Sequence, residues 1–425
     1  VKIKLLGTVF LHALEEFTAT NNLSFKAKFK EKLHPAGVFE SYRKMVMDHP
    51  QLRLKLVRSG KKFSWQPFTQ EETDNLLQFE KEHLMKMHNE NDIYSTYYPT
   101  NSRLPFRVSL IDETTLVFNS NHVHSPGYMF NTWVEQWLQY YAREINMAVP
   151  PLREPGFTDV SIFKKIVYRL LLPFWLIGYI LSAGLKAGKK GETGTVDLSH
   201  GRKPGPQKLG YAIKTYYFSE AECAGIIKTC RERKLTPLEY IGGVFFRTFF
   251  TRYPDKVRIC SSLPDDIRRF LFNADPYEPG NLQAALTYYI VKNKPVEKQI
   301  RQAQRWVNRG LAYGLIRIMS LLISDADKLI KMAREQAAQR FPDRGPLEDL
   351  SCYFYLMDAN PSPAMSQMIS SISATGLSQI IVFGGLFFNG KFIMEVSFPR
   401  GLFDEEEVFS ITEAGIMNLK EESKQ

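Results

Sequence analysis

Thr114-Thr115-Leu116-Val117-Phe118-Asn119-Ser120-Asn121-His122-Val123-His124-Ser125-Pro126-Gly127 carries two histidines where an apolar strand pattern meets a helix pattern. A period of two from Thr114 to Val123 sets Leu116, Phe118, Ser120, His122 and His124 on one face, with Val117, Asn119, Asn121 and Val123 on the other. Pro126-Gly127 ends the strand, after which Phe130, Trp133, Val134, Trp137, Leu138 and Tyr141 recur at helical spacing. Upstream, Phe106, Val108 and Leu110 alternate with Arg107 and Ser109, so a hairpin through Asp112-Glu113 leads into the stretch. The spacing predicts a strand that hands two histidines to the start of an amphipathic helix.

Outward from this centre, Ser24 to Val57 reads as a helix followed by a strand, with Phe39, Tyr42, Met45 and Val46 at helical spacing and Leu52, Leu54 and Leu56 alternating. Lys61 to Asn101 is polar and lysine-rich, with a helical pattern around Asn75 to Met87, and reads mostly as surface. Pro150, Pro151 and Pro155-Gly156 mark the end of a first lobe over residues 1–150. Residues 151–208 read as a crossover, with a hydrophobic helix from Ile162 to Leu185 and a basic loop holding Lys186, Lys189, Lys190, Arg202 and Lys203. A second lobe covers 209–425. In it, Ser219 with Glu222 and Thr236 with Glu239 form capping boxes that start two helices. Val257 to Ser261, Leu286 to Val291, Ile380 to Phe388 and Phe392 to Phe398 read as strands, separated by a helical region from Val296 to Ala338. The alternation of strands and helices indicates an α/β chain.

Composition bounds the function. The 425 residues, 44% hydrophobic and 24% charged, suffice for a large core divided between two domains. Cys223, Cys230, Cys260 and Cys352 are too scattered for a disulfide framework or a close metal-binding pair, so a reducing, cytoplasmic setting fits. A formal net charge of +10 favours anionic partners. Zinc-finger spacing, a basic arm on heptads and a glycine-rich RNA-binding signature are all missing from the sequence, which argues against nucleic acid. Val1 to Phe10 has only a brief apolar run before charged sequence and does not read as a cleavable signal peptide.

A histidine at a strand end titrates near neutrality, about 6.5 in model compounds, and suits a general base. An alcohol or amine attacking a thioester must lose a proton, and an imidazole nitrogen can take it and return it to the leaving thiolate. That chemistry needs no metal and no covalent enzyme intermediate. The bland alternative makes His122 and His124 satisfied core histidines. A metal site at the pair lacks an identifiable third ligand. Ser125 lacks the Gly-x-Ser-x-Gly elbow of a serine nucleophile.

Asn121-His122-Val123-His124-Ser125-Pro126-Gly127 resembles the His-His-x-x-x-Asp-Gly motif of the CoA-dependent acyltransferase superfamily, in its condensation-domain and wax-ester-synthase or alcohol-acyltransferase branch. Further segments resemble that family in order: His49-Pro50-Gln51-Leu52-Arg53, Leu104-Pro105-Phe106-Arg107, Asp266-Ile267-Arg268, Gly280-Asn281 and Asn389-Gly390-Lys391. The resemblance implies two chloramphenicol acetyltransferase-like lobes in a V, with a channel between them and His122, matching the second motif histidine, as catalytic base. It implies motif-support or substrate-contact roles for Asn121, His124, Ser125 and Gly127, and a structural second-lobe role for Asp266 and Arg268. The co-substrate would be acyl-CoA or a phosphopantetheine thioester, with no permanently bound cofactor, and an acyl carrier protein as a further partner. Asn121 and Pro126 replace the motif's first histidine and its aspartate, the residue that pairs with the arginine matching Arg268. A catalytically degenerate lipid-binding or protein-interaction member of the fold is therefore the alternative.

Leu170 to Leu185 makes 16 uncharged residues, fewer than the roughly 20 of a full membrane span. With Lys164, Lys165 and Arg169 before it, segment 162–185 reads either as a peripheral membrane contact or as the cover of a hydrophobic substrate tunnel.

Overall fold

The structure, a computed structural model, describes residues 22–60, 62–96, 99–125, 127–150, 160–187, 196, 210–272, 279–280, 283–322, 327–328, 330–331, 350–358, 362–376, 380–401 and 403–424. In the first half, β1 (Asn22–Phe29) is followed by α1 (Pro35–Asp48), the hairpin β2 (Leu54–Ser59) and β3 (Lys62–Pro67), α2 (Gln70–Leu84) and α3 (Glu90–Ser95). The hairpin β4 (Phe106–Asp112) and β5 (Thr115–Asn121) then leads into α4 (Gly127–Glu144). Both strands of that hairpin are almost wholly buried. The apolar stripe of α4, Met129, Phe130, Trp133, Val134, Trp137, Leu138 and Tyr141, packs with Tyr42 and Met45 of α1 over one face of the sheet.

The second half begins with α5 (Ile162–Ala187), β6 (Tyr211–Tyr217), α6 (Glu220–Glu232), α7 (Pro237–Arg252) and β7 (Arg258–Asp266). It continues through β8 (Gln283–Val291), α8 (Val296–Asn308), α9 (Leu311–Leu322), β9 (Leu350–Asp358), α10 (Pro363–Met368), β10 (Ile369–Gly376), β11 (Val382–Phe388), β12 (Lys391–Pro399) and α11 (Glu405–Glu422). Both capping boxes form, so Ser219 and Thr236 each satisfy a helix-start N–H while Glu222 and Glu239 return the bond. Phe245, Phe246 and Phe249 of α7 pack on Phe354 and Phe383 of the sheet beneath.

The first sheet has the order β10-β1-β5-β4 and is antiparallel throughout. The second has the order β6-β12-β11-β9-β7-β8, with β9 parallel to both β11 and β7. The chain crosses between them late. Met365, Met368, Ile369 and Ile372, from α10 and β10, enter the core of the first sheet, as do Leu386 and Phe388 of β11. The linear division 1–150, 151–208 and 209–425 does not anticipate this exchange, which fastens one lobe to the other.

Several local expectations are corrected. Strand β1 precedes the helix expected from Ser24, because helical spacing begins only at Pro35. Strand β3 lies inside the stretch read as surface; it buries Phe63 but exposes Ser64 and Gln66, so its apolar signal is one residue deep. Strands β9 and β10 were not foreseen. Strand β9 lies between two parallel neighbours and has no polar alternation, while Ser370, Ser371 and Ser373 dilute the apolar pattern of β10. The loop residues Lys189, Lys190, Arg202 and Lys203 lie outside the described residues.

Helices α8 and α9 meet at Gly310, whose φ is +78° and whose missing Cβ would stand 2.9 Å from the Phe270 ring. Both the backbone and the space require glycine. Gly310→Ala should destabilise the chain by about 2–4 kcal/mol in urea unfolding, the sum of a left-handed-backbone cost and an overpacking cost.

Candidate active site

Strand β5 ends at Asn121, not Val123, because the chain turns sharply there. The Asn121 carbonyl accepts the backbone N–H of His124 at 3.0 Å and of Ser125 at 3.2 Å. Its side-chain Oδ1 accepts the Val123 N–H at 2.8 Å, a local turn bond that asparagine makes readily. His122 and His124 therefore leave strand parity and take separate surroundings.

His122 is partly exposed, and its Nδ1 lies 3.0 Å from the Ser125 carbonyl. A carbonyl only accepts, so Nδ1 carries the proton and the neutral ring presents its lone pair on Nε2. Burial lowers the His122 pKa from its ordinary value, and the Ser125 carbonyl opposes that shift. The ring thus lies deep in the protein, in a residue that as a whole is partly exposed.

His124 is 1% exposed, and its Nε2–H donates to the Gln51 carbonyl at 2.9 Å. Its Nδ1 is buried without a hydrogen-bond partner among the described residues, and Trp65 of β3 meets the ring edge-on at 5.2 Å. Burial lowers its pKa to about 4; the Gln51 carbonyl opposes this and the Arg268 charge adds to it. At neutral pH the His124 imidazole is uncharged.

The other motif residues hold the turn. Ser125 is fully buried and its hydroxyl meets the Ser120 hydroxyl, which in turn donates to the Pro105 carbonyl at 2.9 Å. With the Ser120 proton committed to Pro105, Ser125 is the donor between the two, and among the described residues no imidazole is bonded to its hydroxyl oxygen. A Cβ on Gly127 would meet nothing within 4 Å apart from its chain neighbours. Pro126 lies outside the described residues.

The second lobe reaches the same turn. Arg268 is fully buried, donates to Asp266 Oδ2 at 3.0 Å and reaches Met129 Sδ of α4 at 3.8 Å. Asp265 instead pairs with Arg269 at 2.8 Å. Gly280 donates its N–H to the His124 carbonyl at 2.7 Å. Four segments recognised in the sequence thus converge on residues 120–129: Gln51, Pro105, Arg268 and Gly280 each bond within that span. Asn389-Gly390, with φ of 47° and 74°, instead makes the turn between β11 and β12. Asn281 lies outside the described residues. Ser120, Trp65 and Met129 were not singled out from sequence, although Ser120 already shared the histidine face of the strand pattern.

Removing the Arg268 side chain strands Asp266 at the lobe junction and leaves a large hole. Arg268→Ala should cost about 3–5 kcal/mol in denaturant unfolding, and Arg268→Lys should recover little, since one ammonium cannot span both partners. His124 adds an acid limit. Its folded pKa, about 4, lies below the ordinary 6.5, so the unfolded chain binds the proton first and stability falls from pH 6.5 down to about 4. His124→Gln should make the pH dependence of unfolding free energy shallower by up to about one proton across that interval.

No family model matches the chain, and no curated protein matches it. Solved structures do. The condensation domain from Monacolin K polyketide synthase MokA is similar over 99% of this chain and 96% of its own, with 12% identity and a TM-score of 0.65. A variant of the starter condensation domain of rhizomide synthetase RzmA, in complex with C8-CoA, is similar over 98% and 94%, with 11% identity and a TM-score of 0.63. Polyketide synthase associated protein 5 from Mycobacterium tuberculosis is similar over 99% and 98%, with 15% identity and a TM-score of 0.59. The similarity covers both lobes and their crossing strand, and the chain has the condensation-domain fold, a two-lobed α/β architecture of the chloramphenicol acetyltransferase type.

Proposed function

We propose that the chain is a thioester-dependent acyltransferase in which His122 is the general base. The observation that carries this reading is His122, a partly exposed residue whose ring is tied through Nδ1 to the Ser125 carbonyl. Nε2 takes the proton from an acceptor hydroxyl or amine as that group attacks the thioester carbon. The tetrahedral intermediate collapses, the carbon–sulfur bond breaks, and the imidazolium returns the proton to the thiolate. An ester or amide and a free thiol result, and every proton is accounted for. His124, held neutral and sealed, leaves the proton transfer to His122, while Asn121, Ser120 and Ser125 position the turn.

The donor is acyl-CoA or an acyl group on a carrier's phosphopantetheine arm, in line with the C8-CoA bound to one similar domain. Basic residues suit such anionic donors. The acceptor is hydrophobic, and the chain works in the cytoplasm with a peripheral membrane contact through 162–185. Asp266 and Arg268 support the site from the second lobe without touching the reacting groups, and Gly127 leaves room for substrate.

Acyl-CoAs of graded chain length, assayed for acceptor-dependent thiol release, test the reading. His122→Ala should lose about 10²–10⁴-fold in rate while still binding donor. The wild-type rate should fall at acid pH through a pKa below 6.5 and level off above it, because only the neutral ring accepts the proton. Equal release by wild type and variant removes His122 from the chemistry. Donor binding without release by either protein favours a lipid-binding role for the same fold.

A further inference from the structure

Helix α5 is 26 residues long and has two unlike faces. Inward, Leu172, Trp175, Leu176 and Tyr179 pack on the second-lobe core. Lys165 Nζ donates to the Leu271 carbonyl at 2.7 Å and Arg169 reaches the Phe270 carbonyl at 3.4 Å, so the helix is fastened to the body of the protein. Outward, Phe163, Ile166, Leu170, Phe174, Ile177 and Leu181 recur every three or four residues, and all are exposed, Phe163 at 75%, Leu170 at 70% and Phe174 at 72%. Phe272, against the Arg169 guanidinium, and Ile318 of α9 add exposed apolar surface on the neighbouring elements. From Phe163 to Leu181 the apolar stripe is about 27 Å long at 1.5 Å per residue, far more than a soluble surface ordinarily leaves bare.

We infer that this outward face is a monotopic docking surface for an anionic lipid bilayer, with α5 lying in the interfacial plane. The inference deepens the membrane contact proposed above by naming the face and the lipid charge. Spanning is excluded by the inward face, whose core packing and carbonyl bonds would have to be broken. Charge selects the occupant. From Val160 to Gly191 the sequence holds no Asp or Glu; exposed Lys164 lies at the start of the apolar run and Lys186, Lys189 and Lys190 follow it in sequence, Lys165 and Arg169 being turned inward, and the whole chain is +10. Cations at the ends of an interfacial helix engage anionic headgroups while the aromatic and aliphatic side chains enter the acyl boundary. A second copy docked antiparallel on the same face would set lysines against lysines, with no carboxylate on either helix to neutralise them. The tunnel-cover alternative is served by neither face, since the inner one meets packed core and the outer one meets solvent.

Co-sedimentation of the full chain with vesicles of phosphatidylcholine, with and without phosphatidylglycerol, tests the inference. Wild type should pellet with the anionic vesicles. Phe163→Ser combined with Phe174→Ser should lower the partition by at least about tenfold, and Ile177→Ser by a smaller factor. All three positions face solvent, so the unfolding midpoint should hold. Lys164→Glu should weaken binding to the anionic vesicles alone. Wild type that stays in the supernatant, serine variants that pellet undiminished, or a wild-type dimer that the serine pair converts to monomer would each overturn the inference. Equal binding to both vesicle types would overturn its charge selectivity. His122→Ala should pellet like wild type, and the serine pair should still release thiol with a soluble acceptor, so docking and acyl transfer fail separately.

Discussion

The Asn121 carbonyl, accepting two successive N–H groups, is the constraint on which the site depends. It stops β5 inside the protein, where an unpaired backbone group would be expensive, and turns the chain within four residues. Everything in the turn then needs a partner close at hand. Ser125 bonds through Ser120 to Pro105, Asn121 bonds to Val123, and the His122 ring bonds to Ser125, so the imidazole orientation is set by its own loop. An imidazole held by local backbone keeps its geometry without help from a distant carboxylate.

This bears on the motif's missing aspartate. With Pro126 in that place, the buried Arg268 takes its charge partner from Asp266, two residues away on the same strand end, and extends across the junction to the Met129 sulfur. A partner so near in sequence costs little chain entropy to hold. The lobes remain joined by other means, the Gly280 bond to His124 and the strand β10 beside β1, so loss of one cross-lobe ion pair leaves the frame intact.

Legibility in the sequence followed the strength of the local pattern. The stripe of α4 and the capping boxes of α6 and α7 could be read because each is fixed by residues within a few positions of one another. Serine-rich β10 and the one-sided β3 could not, since what makes them strands is a neighbour far away in the chain. The convergence of Gln51, Pro105, Arg268 and Gly280 on one turn was implied by motif order, but not the atoms through which they meet. Trp65 was invisible for the reason that hid β3: its segment looks like surface until the hairpin is folded against His124.

The two histidines show most plainly why a period cannot assign chemistry. Strand parity put them on one face as equals, separated only by the register of a resemblance. Once the chain turns at Asn121, they diverge: His122 donates from Nδ1 and His124 from Nε2, so their lone pairs sit on opposite ring nitrogens. Burial depresses both pKa values, yet a proton acceptor must also be reachable by what gives the proton. His124 has its lone pair buried near the Arg268 charge, where a proton is unwelcome. His122 is partly exposed where His124 is not, and that difference in access, rather than any difference in residue type, is what favours His122 as the proposed base.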